Sequence, residues 1–293
     1  VGDTQRPLYS LAATGMVNVI LNLVLVIVFN LGVAGVAIAT IVSQILSCIA
    51  VLVLLMRAQG SLHFSWRRLR IHPKTMGRML RVGLPAGLQG TIFSISNVLI
   101  QSSVNSFGST IIAGNSAASN IEGFVYVSMN AMYQAALTFV GQNVGANKYD
   151  RVPRVLACCA GCVTVIGLVM GGTAYFAGPW LLQIYTENPE VITAGLTRML
   201  YVALPYFLCG LMDVMVGMLR GMGASMVPMC VSVLGVCGVR IVWIYTVFRA
   251  VHTTPMLYIS YPISWAATAA IHTICFVVLF RRLSRTHSLE RIA

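Results

Sequence analysis

The sequence has 293 residues, of which 58% are hydrophobic and only 9% are charged. A typical soluble domain carries roughly 25% charged residues, so the composition excludes a water-soluble globular protein and indicates an integral membrane protein. The net charge of +12 does not indicate nucleic-acid binding, because the basic residues fall in short connections between apolar runs, a pattern typical of membrane topology.

The apolar runs predict an all-α integral membrane protein with eight transmembrane helices. Each run has close to the roughly 20 mostly apolar residues that a helix needs to cross a bilayer. The predicted spans are 8–29, 33–56, 84–106, 112–139, 153–176, 199–219, 226–248 and 257–280. The sequence begins at Val1 in what we interpret as a connection between helices, so we expect further helices before it.

Basic residues in every second connection predict the orientation. They fall in 57–81, 141–154, 220–225 and the tail after 280. The alternate connections hold almost none; one has Arg198 beside Glu187 and Glu190, and another has Arg249. Because Lys and Arg mark the cytoplasmic side, we predict a multi-pass protein of the plasma membrane with both ends of this chain in the cytoplasm.

A basic linker and a short repeat predict the domain organisation. The linker mixes apolar residues with arginines such as Arg67 and Arg68, so it either binds anionic lipids along the membrane surface or is a solvated loop that sets topology. "GDTQRP" at 2–7 and "GASMVP" at 223–228 each begin a helix pair. We therefore predict the last two helices of a first bundle, a cytoplasmic linker, an equivalent second bundle of six helices and a cytoplasmic tail. Their bounds are 1–56, 57–81, 82–280 and 281–293.

A polar stripe runs along the predicted helix 112–139. Its members are spaced by three or four residues, which places them on one helix face. They are Asn115, Ser119, Glu122, Tyr126, Asn130 and Tyr133. At 1.5 Å per residue the stripe is about 27 Å long, close to the thickness of the bilayer core. It therefore predicts a wet cavity, in which Glu122 faces one of four counterparts: Arg240, a proton, Na⁺ or a drug.

Two other predicted spans, 84–106 and 199–219, carry similar stripes. One contains Gly90, Ser94, Asn97, Gln101 and Asn105, and the other contains Tyr206, Gly210, Asp213 and Gly217. Hydrogen bonding between helices would explain an isolated Ser or Asn, but an intramembrane carboxylate usually marks a functional site. The predicted residues for binding substrate or cation are Glu122, Asp213, Asn97, Gln101, Tyr126, Asn130 and Arg240. Arg240 is also a candidate counter-ion for one of the carboxylates.

A second, possible cation site lies in the first bundle. Asn18 and Asn22 are one helical turn apart, and Thr40 on the next helix could meet them. Amide and hydroxyl oxygens suit a hard cation, although two asparagines on one face also serve as packing contacts.

Sequence motifs for enzymatic chemistry are absent. We find no GxSxG, Walker A or HExxH pattern, so we predict a protein that is not an enzyme and has no cofactor. Cys159 and Cys162 form a CxxC without a second Cys/His pair, which indicates no firm metal site. Without a nucleotide-binding domain, transport would need an ion gradient or a separate subunit.

Several motifs resemble those of the multidrug and toxic compound extrusion (MATE) transporters. They are "GLPAGLQGTIFSISNVLIQ" at 83–101, "FVGQNVGANKYDR" at 139–151, "GMLRGMGASMVP" at 217–228, and "VGDTQRP" with "NLGVAGVAIATIVSQ" at 1–7 and 30–44. The resemblance spans essentially the whole chain and implies a protein of twelve helices, of which this chain holds the last eight. It also implies two bundles around a central cavity, with Asn18, Asn22 and Thr40 at positions where some members bind the coupling cation.

The resemblance implies a secondary active exporter. A protein of this kind would be a monomer in the lipid membrane. It would exchange small organic, often cationic, compounds for Na⁺ or H⁺ by alternating access. The alternative is a flippase for a lipid-linked oligosaccharide or cell-wall precursor, from the same superfamily. A flippase cavity should be strongly cationic to hold a pyrophosphate. One Arg against two carboxylates in the predicted spans favours the exporter, and the three polar stripes argue against a purely structural or sensory protein.

Overall fold

The computed structural model describes residues 5–58, 63–65 and 70–290, and the regular structure in these ranges is entirely helical. This confirms the all-α prediction. Arg67, Arg68 and Arg291, which the sequence assigns to the linker and the tail, lie outside the described residues. The chain divides between His72 and Pro73 into two compact units.

The first unit holds two long helices joined by a tight turn. Helix α1 (Gln5–Leu23) continues into a wider π-helical turn at Val24–Val28, and α2 (Gly32–Arg57) follows. Gly32 has a φ of 52°, a left-handed conformation that glycine adopts without steric cost. The turn therefore lets α2 fold back onto α1.

The second unit contains the remaining helices. They are α3 (Pro73–Asn105), α4 (Ser109–Gly145), α5 (Val152–Phe176), α6 (Gly178–Gln183), α7 (Pro189–Tyr201), α8 (Phe207–Gly221), α9 (Met226–Ser232), α10 (Val239–Trp243), α11 (Thr254–Tyr258) and α12 (Ser260–Glu290). π-Helical turns at Val233–Gly238 and Ile244–Phe248 extend α9 and α10 into one continuous span, and 3₁₀ turns at Tyr149–Arg151 and Leu204–Tyr206 precede α5 and α8.

Each of the eight predicted spans is helical, but the eight differ in apolar character. In the part of the chain that the structure describes, seven segments are long and apolar enough to cross a membrane. The predicted span 112–139 is not among them, although α4, which contains it, has 37 residues. The polar stripe explains this difference, because it places a row of Asn, Ser and Glu side chains along a helix of membrane-spanning length.

Three segments that the sequence places outside the predicted spans are helical in the structure. The linker expected at 57–81 is helical from Pro73 onward and continuous with α3. The tail expected from 281 continues α12 as far as Glu290. Arg198, expected in an external connection, lies inside α7. Asn188 accounts for the early start of α7, because its side chain caps the helix by accepting a hydrogen bond from the Glu190 amide at 2.9 Å.

Small residues set the spacing of the helices in the second unit. Helix α4 packs against α5, α7 and α8, and several glycines lie where these helices touch. A Cβ added at Gly167 of α5 would lie 2.7 Å from the Phe207 Cα at the start of α8, and one at Gly217 would lie 2.8 Å from the Tyr133 carbonyl oxygen of α4. Helices in a membrane associate through such close backbone approaches.

This packing predicts the effect of one added methyl group. Gly167→Ala should destabilise the protein by roughly 1–3 kcal/mol, because α5 and α8 would have to move apart. Thermal unfolding of the purified protein in detergent measures the loss.

Gly161 provides the matched control on the same helix. A Cβ there would have no neighbour within 4 Å, so Gly161→Ala should leave stability unchanged or raise it slightly. Equal melting temperatures for the two variants would show that the close approach at Gly167 does not stabilise the fold.

Candidate functional site

A cavity of about 490 Å³ lies within the second unit. Its walls come from α3, α4, α7, α8, α12 and the segment from the 233–238 turn to α10. Six of the seven residues predicted for this bundle line it: Asn97, Gln101, Glu122, Tyr126, Asp213 and Arg240. The polar stripes of three helices thus meet at one cavity.

A smaller cavity of about 180 Å³ continues along the same polar face. It contains Asn130, the seventh predicted residue, and shares Tyr126 and Asp213 with the larger cavity. Arg220 also lines it, donating to the Tyr133 hydroxyl at 2.7 Å and to Gln89 Oε1 at 2.8 Å. Asp213 therefore stands where the two cavities adjoin.

Glu122 forms a buried ion pair with Arg198. The two residues are only 3% and 7% exposed. Arg198 Nη2 donates to Glu122 Oε2 at 2.7 Å, and Arg198 Nε lies 3.1 and 3.2 Å from the two carboxylate oxygens. The counterpart of Glu122 is therefore a fixed arginine of α7, which was not among the four counterparts that the sequence suggested.

Asn115 extends this pair into a network between helices. Its Oδ1 accepts hydrogen bonds from Arg198 Nη1 at 2.7 Å and from the Tyr258 hydroxyl at 3.2 Å, and its Nδ2 donates to Gln101 Oε1 at 3.2 Å. The network joins α3, α4, α7 and α11. It leaves Glu122 with a hydrogen-bonded, charge-balanced environment, which a buried carboxylate requires.

Asp213 is the second carboxylate in the cavity, and its environment is different. It is partly exposed, and no hydrogen bond or ion pair joins it to the described residues. It lies on α8 on the same side as Tyr206, which also lines the cavity. Gly210 and Gly217, expected on the same polar stripe, instead pack against α4 and α5. Asp213 is thus the carboxylate that a cation from the cavity can approach.

The hydrogen bonds of the first unit differ from expectation. Asn18 and Asn22 interact, since Asn22 Nδ2 lies 3.1 Å from Asn18 Oδ1. Ser43, not Thr40, joins α2 to this pair: Asn18 Nδ2 donates to Ser43 Oγ at 2.9 Å, whereas the Thr40 hydroxyl donates to the Val36 carbonyl of its own helix at 2.8 Å. The prediction that Thr40 meets the asparagines was wrong.

Arg198 is the residue that sequence reasoning missed. The spans predicted from the sequence leave it in an external connection, which gives one membrane Arg against two carboxylates. After the capping Asn188, the positions Val191, Ala194, Gly195 and Arg198 have the i, i+3, i+4, i+7 spacing of one helix face. That signal predicts Arg198 at a buried position.

The ion pair predicts the effect of removing its negative partner. Glu122→Gln should lower the free energy of unfolding by roughly 3–5 kcal/mol, because Arg198 would stay buried without a counter-charge. Thermal or denaturant unfolding of the purified protein in detergent measures this loss.

Two further variants complete this experiment. Glu187→Gln makes the same change at an exposed carboxylate and should have little effect. The double variant Glu122→Gln/Arg198→Gln should recover part of the loss, since no charge remains unpaired. Single losses that simply add in the double variant would contradict direct pairing.

Comparison with known proteins identifies the family. The MatE family model matches residues 85–246, more than half of the chain. The chain is 24% identical over 278 residues to the probable multidrug resistance protein YoeA of Bacillus subtilis, covering 91% of this chain and 59% of that protein. It is 26% identical over 228 residues to the probable multidrug resistance protein YpnP of the same organism, covering 77% and 50%. The chain thus spans between half and three fifths of these relatives.

A solved structure supports the same assignment at the level of fold. The outward-facing conformation of a multidrug resistance MATE family transporter matches with a TM-score of 0.86 at 18% identity, covering 97% of this chain and 64% of that chain. Both the sequence match and the helical arrangement therefore agree with the resemblance seen in the motifs. The protein belongs to the MatE family.

Proposed function

We propose that this chain forms part of a secondary active multidrug exporter, which exchanges small organic, often cationic, compounds for Na⁺ or H⁺ by alternating access. The observation that carries the proposal is Asp213, a carboxylate without an ion pair in the described residues, at the wall of a 490 Å³ cavity. The volume falls within the range of roughly 300–1,000 Å³ typical of small-molecule sites. The names of the two Bacillus relatives support the same function.

Competition for one carboxylate would couple the two ligands. A coupling cation and a cationic substrate both gain from the negative charge of Asp213, so binding of one lowers the affinity for the other, and the effect is reciprocal. Glu122 does not take this role in the proposal, because its charge is already balanced by Arg198. Asn97, Gln101, Tyr126 and Asn130 would supply polar contacts to the substrate.

The flippase alternative rests on cavity charge, and the charges differ from those counted in the sequence. Four charged side chains line the larger cavity: Glu122 and Asp213 against Arg198 and Arg240. The earlier count of one Arg against two carboxylates was wrong, so an excess of negative charge no longer favours the exporter. A balanced cavity still lacks the strong positive charge that a pyrophosphate would need, and the exporter remains our proposal.

The remaining aspects of the proposal follow from the sequence. Both ends of the chain would lie in the cytoplasm of a plasma-membrane monomer, with the basic linker near anionic lipids. Asn18 and Asn22 remain a second candidate position for a coupling cation, with Ser43 in place of Thr40 as the nearby hydroxyl.

Asp213 offers the direct test of coupling. In proteoliposomes that contain the native protein, transport of the cationic dye rhodamine 6G should respond to an imposed Na⁺ or proton gradient. Asp213→Asn should lower the gradient-driven rate at least tenfold, because the neutral amide no longer brings the two cations into competition.

Asp150→Asn is the matched control, since Asp150 is exposed outside the predicted spans. Its transport should equal that of the unmodified protein. If Asp213→Asn kept the same dependence on the ion gradient, Asp213 would have no part in coupling, and dye transport that ignored both gradients would contradict the exchange mechanism.

A further inference from the structure

Arg240 is a buried arginine with few partners. It is 5% exposed and lies on α10 at the wall of the larger cavity. Its Nε donates to Ser264 Oγ at 3.0 Å. The two terminal nitrogens, which carry four of the five N–H groups of a guanidinium, donate to none of the residues that the structure describes.

No carboxylate in the described residues forms an ion pair with Arg240. Glu122 is held by Arg198, and no ion pair joins Asp213 to Arg240. A buried charge without a counter-charge is costly. Because the cavity reaches Arg240, the missing acceptor can enter from the cavity as part of a ligand.

Aromatic rings lie against the guanidinium of Arg240. Its central carbon lies 4.1 Å from the centroid of the Tyr261 ring and 5.7 Å from that of Trp265. These rings and Tyr206 pack edge to face, with Tyr206 and Tyr261 at 5.2 and 5.6 Å from Trp265. Cation–π contacts offset part of the cost of burial. Beside these ring contacts, the terminal nitrogens keep N–H groups available for a planar acceptor.

We propose that Arg240 is an anion subsite of the cavity, and that it binds the carboxylate of a planar organic compound. A carboxylate pairs with a guanidinium through two parallel hydrogen bonds, and the aromatic group formed by Tyr206, Tyr261 and Trp265 suits a flat ring beside it. With Asp213 in the same cavity, the favoured ligand carries a cationic group as well. This proposal rests on the proposed exporter function and deepens it by naming the residue that would select compounds with a free carboxylate.

A pair of dyes tests the subsite. Rhodamine 19 has the ring system of rhodamine 6G, but a free carboxylate replaces the ethyl ester. Fluorescence anisotropy with the native protein in detergent gives the Kd for each dye without any ion gradient. We expect rhodamine 19 to bind at least tenfold more tightly than rhodamine 6G, as a charge-assisted hydrogen-bonded pair would provide.

Variants at Arg240 locate this preference. Arg240→Gln should bring the ratio of the two Kd values close to one, and Arg240→Lys should keep part of the preference because it retains the charge. Arg249→Gln makes the same change at an exposed arginine that follows the same span and should keep the full ratio. Size-exclusion chromatography confirms that each variant is folded.

Two results would overturn the subsite. One is an equal affinity of the native protein for both dyes, or no binding of rhodamine 19. The other is a preference that survives in Arg240→Gln. The exporter proposal fails differently, through dye transport that does not respond to an ion gradient, so binding in detergent and transport in proteoliposomes separate the two conclusions.

Discussion

The buried ion pair between Glu122 and Arg198 constrains the rest of the second unit. In a helical bundle within a bilayer, a charge away from water needs a partner, and removing one member of a buried pair costs far more than the pair itself contributes. The pair ties α4 to α7, and Asn115 connects it to α3 and α11 through Gln101 and Tyr258. Because this network pairs Glu122 with Arg198, these two charges hold the helices together. Asp213 and Arg240 are then the charges of the larger cavity that remain available to a ligand.

Close helix packing determines where the available charges lie. Gly167 of α5 and Gly210 and Gly217 of α8 meet neighbouring helices at distances that leave no room for a Cβ, so α4, α5 and α8 form a dense core on one side of α4. The polar stripe of α4 lies beside this core and lines the cavity together with α3, α8 and the segment that carries Arg240. The cavity therefore opens on the polar side, where α3 and α4 present amides and hydroxyls instead of small apolar residues.

The periodicity of the sequence predicted the helices and the side chains that line the cavity. It could not predict which side chains on other helices those residues contact. Spacings of three and four residues placed Asn97, Gln101, Glu122, Tyr126 and Asp213 on inward faces, and the structure brings all five to one cavity. The contact of Glu122 with Arg198 joins residues 76 positions apart, and no local pattern encodes which distant helix a side chain meets.

Arg198 was missed for a local reason as well: the predicted span starts at 199, although the cap at Asn188 marks the beginning of α7. Thr40 was chosen because it lies on the next helix, but its hydroxyl bonds to the backbone of α2, and Ser43, one turn further on, makes the contact with Asn18.

During exchange, the charge that Asp213 and Arg240 present to a ligand changes when the coupling cation binds. Glu122 and Arg198 cancel, so the net charge that a ligand meets in the larger cavity depends on Asp213 and Arg240. With Asp213 ionised and free, the two charges balance, and a compound that carries both a cationic and an anionic group can satisfy both. When a coupling cation binds Asp213, the cavity has one uncompensated positive charge, which repels the cationic group of the substrate but still attracts its carboxylate. A compound without a carboxylate would lose its only charged contact at that step. Exchange would therefore be more complete for purely cationic compounds, and compounds with a free carboxylate would retain residual affinity through Arg240 after the coupling cation has bound.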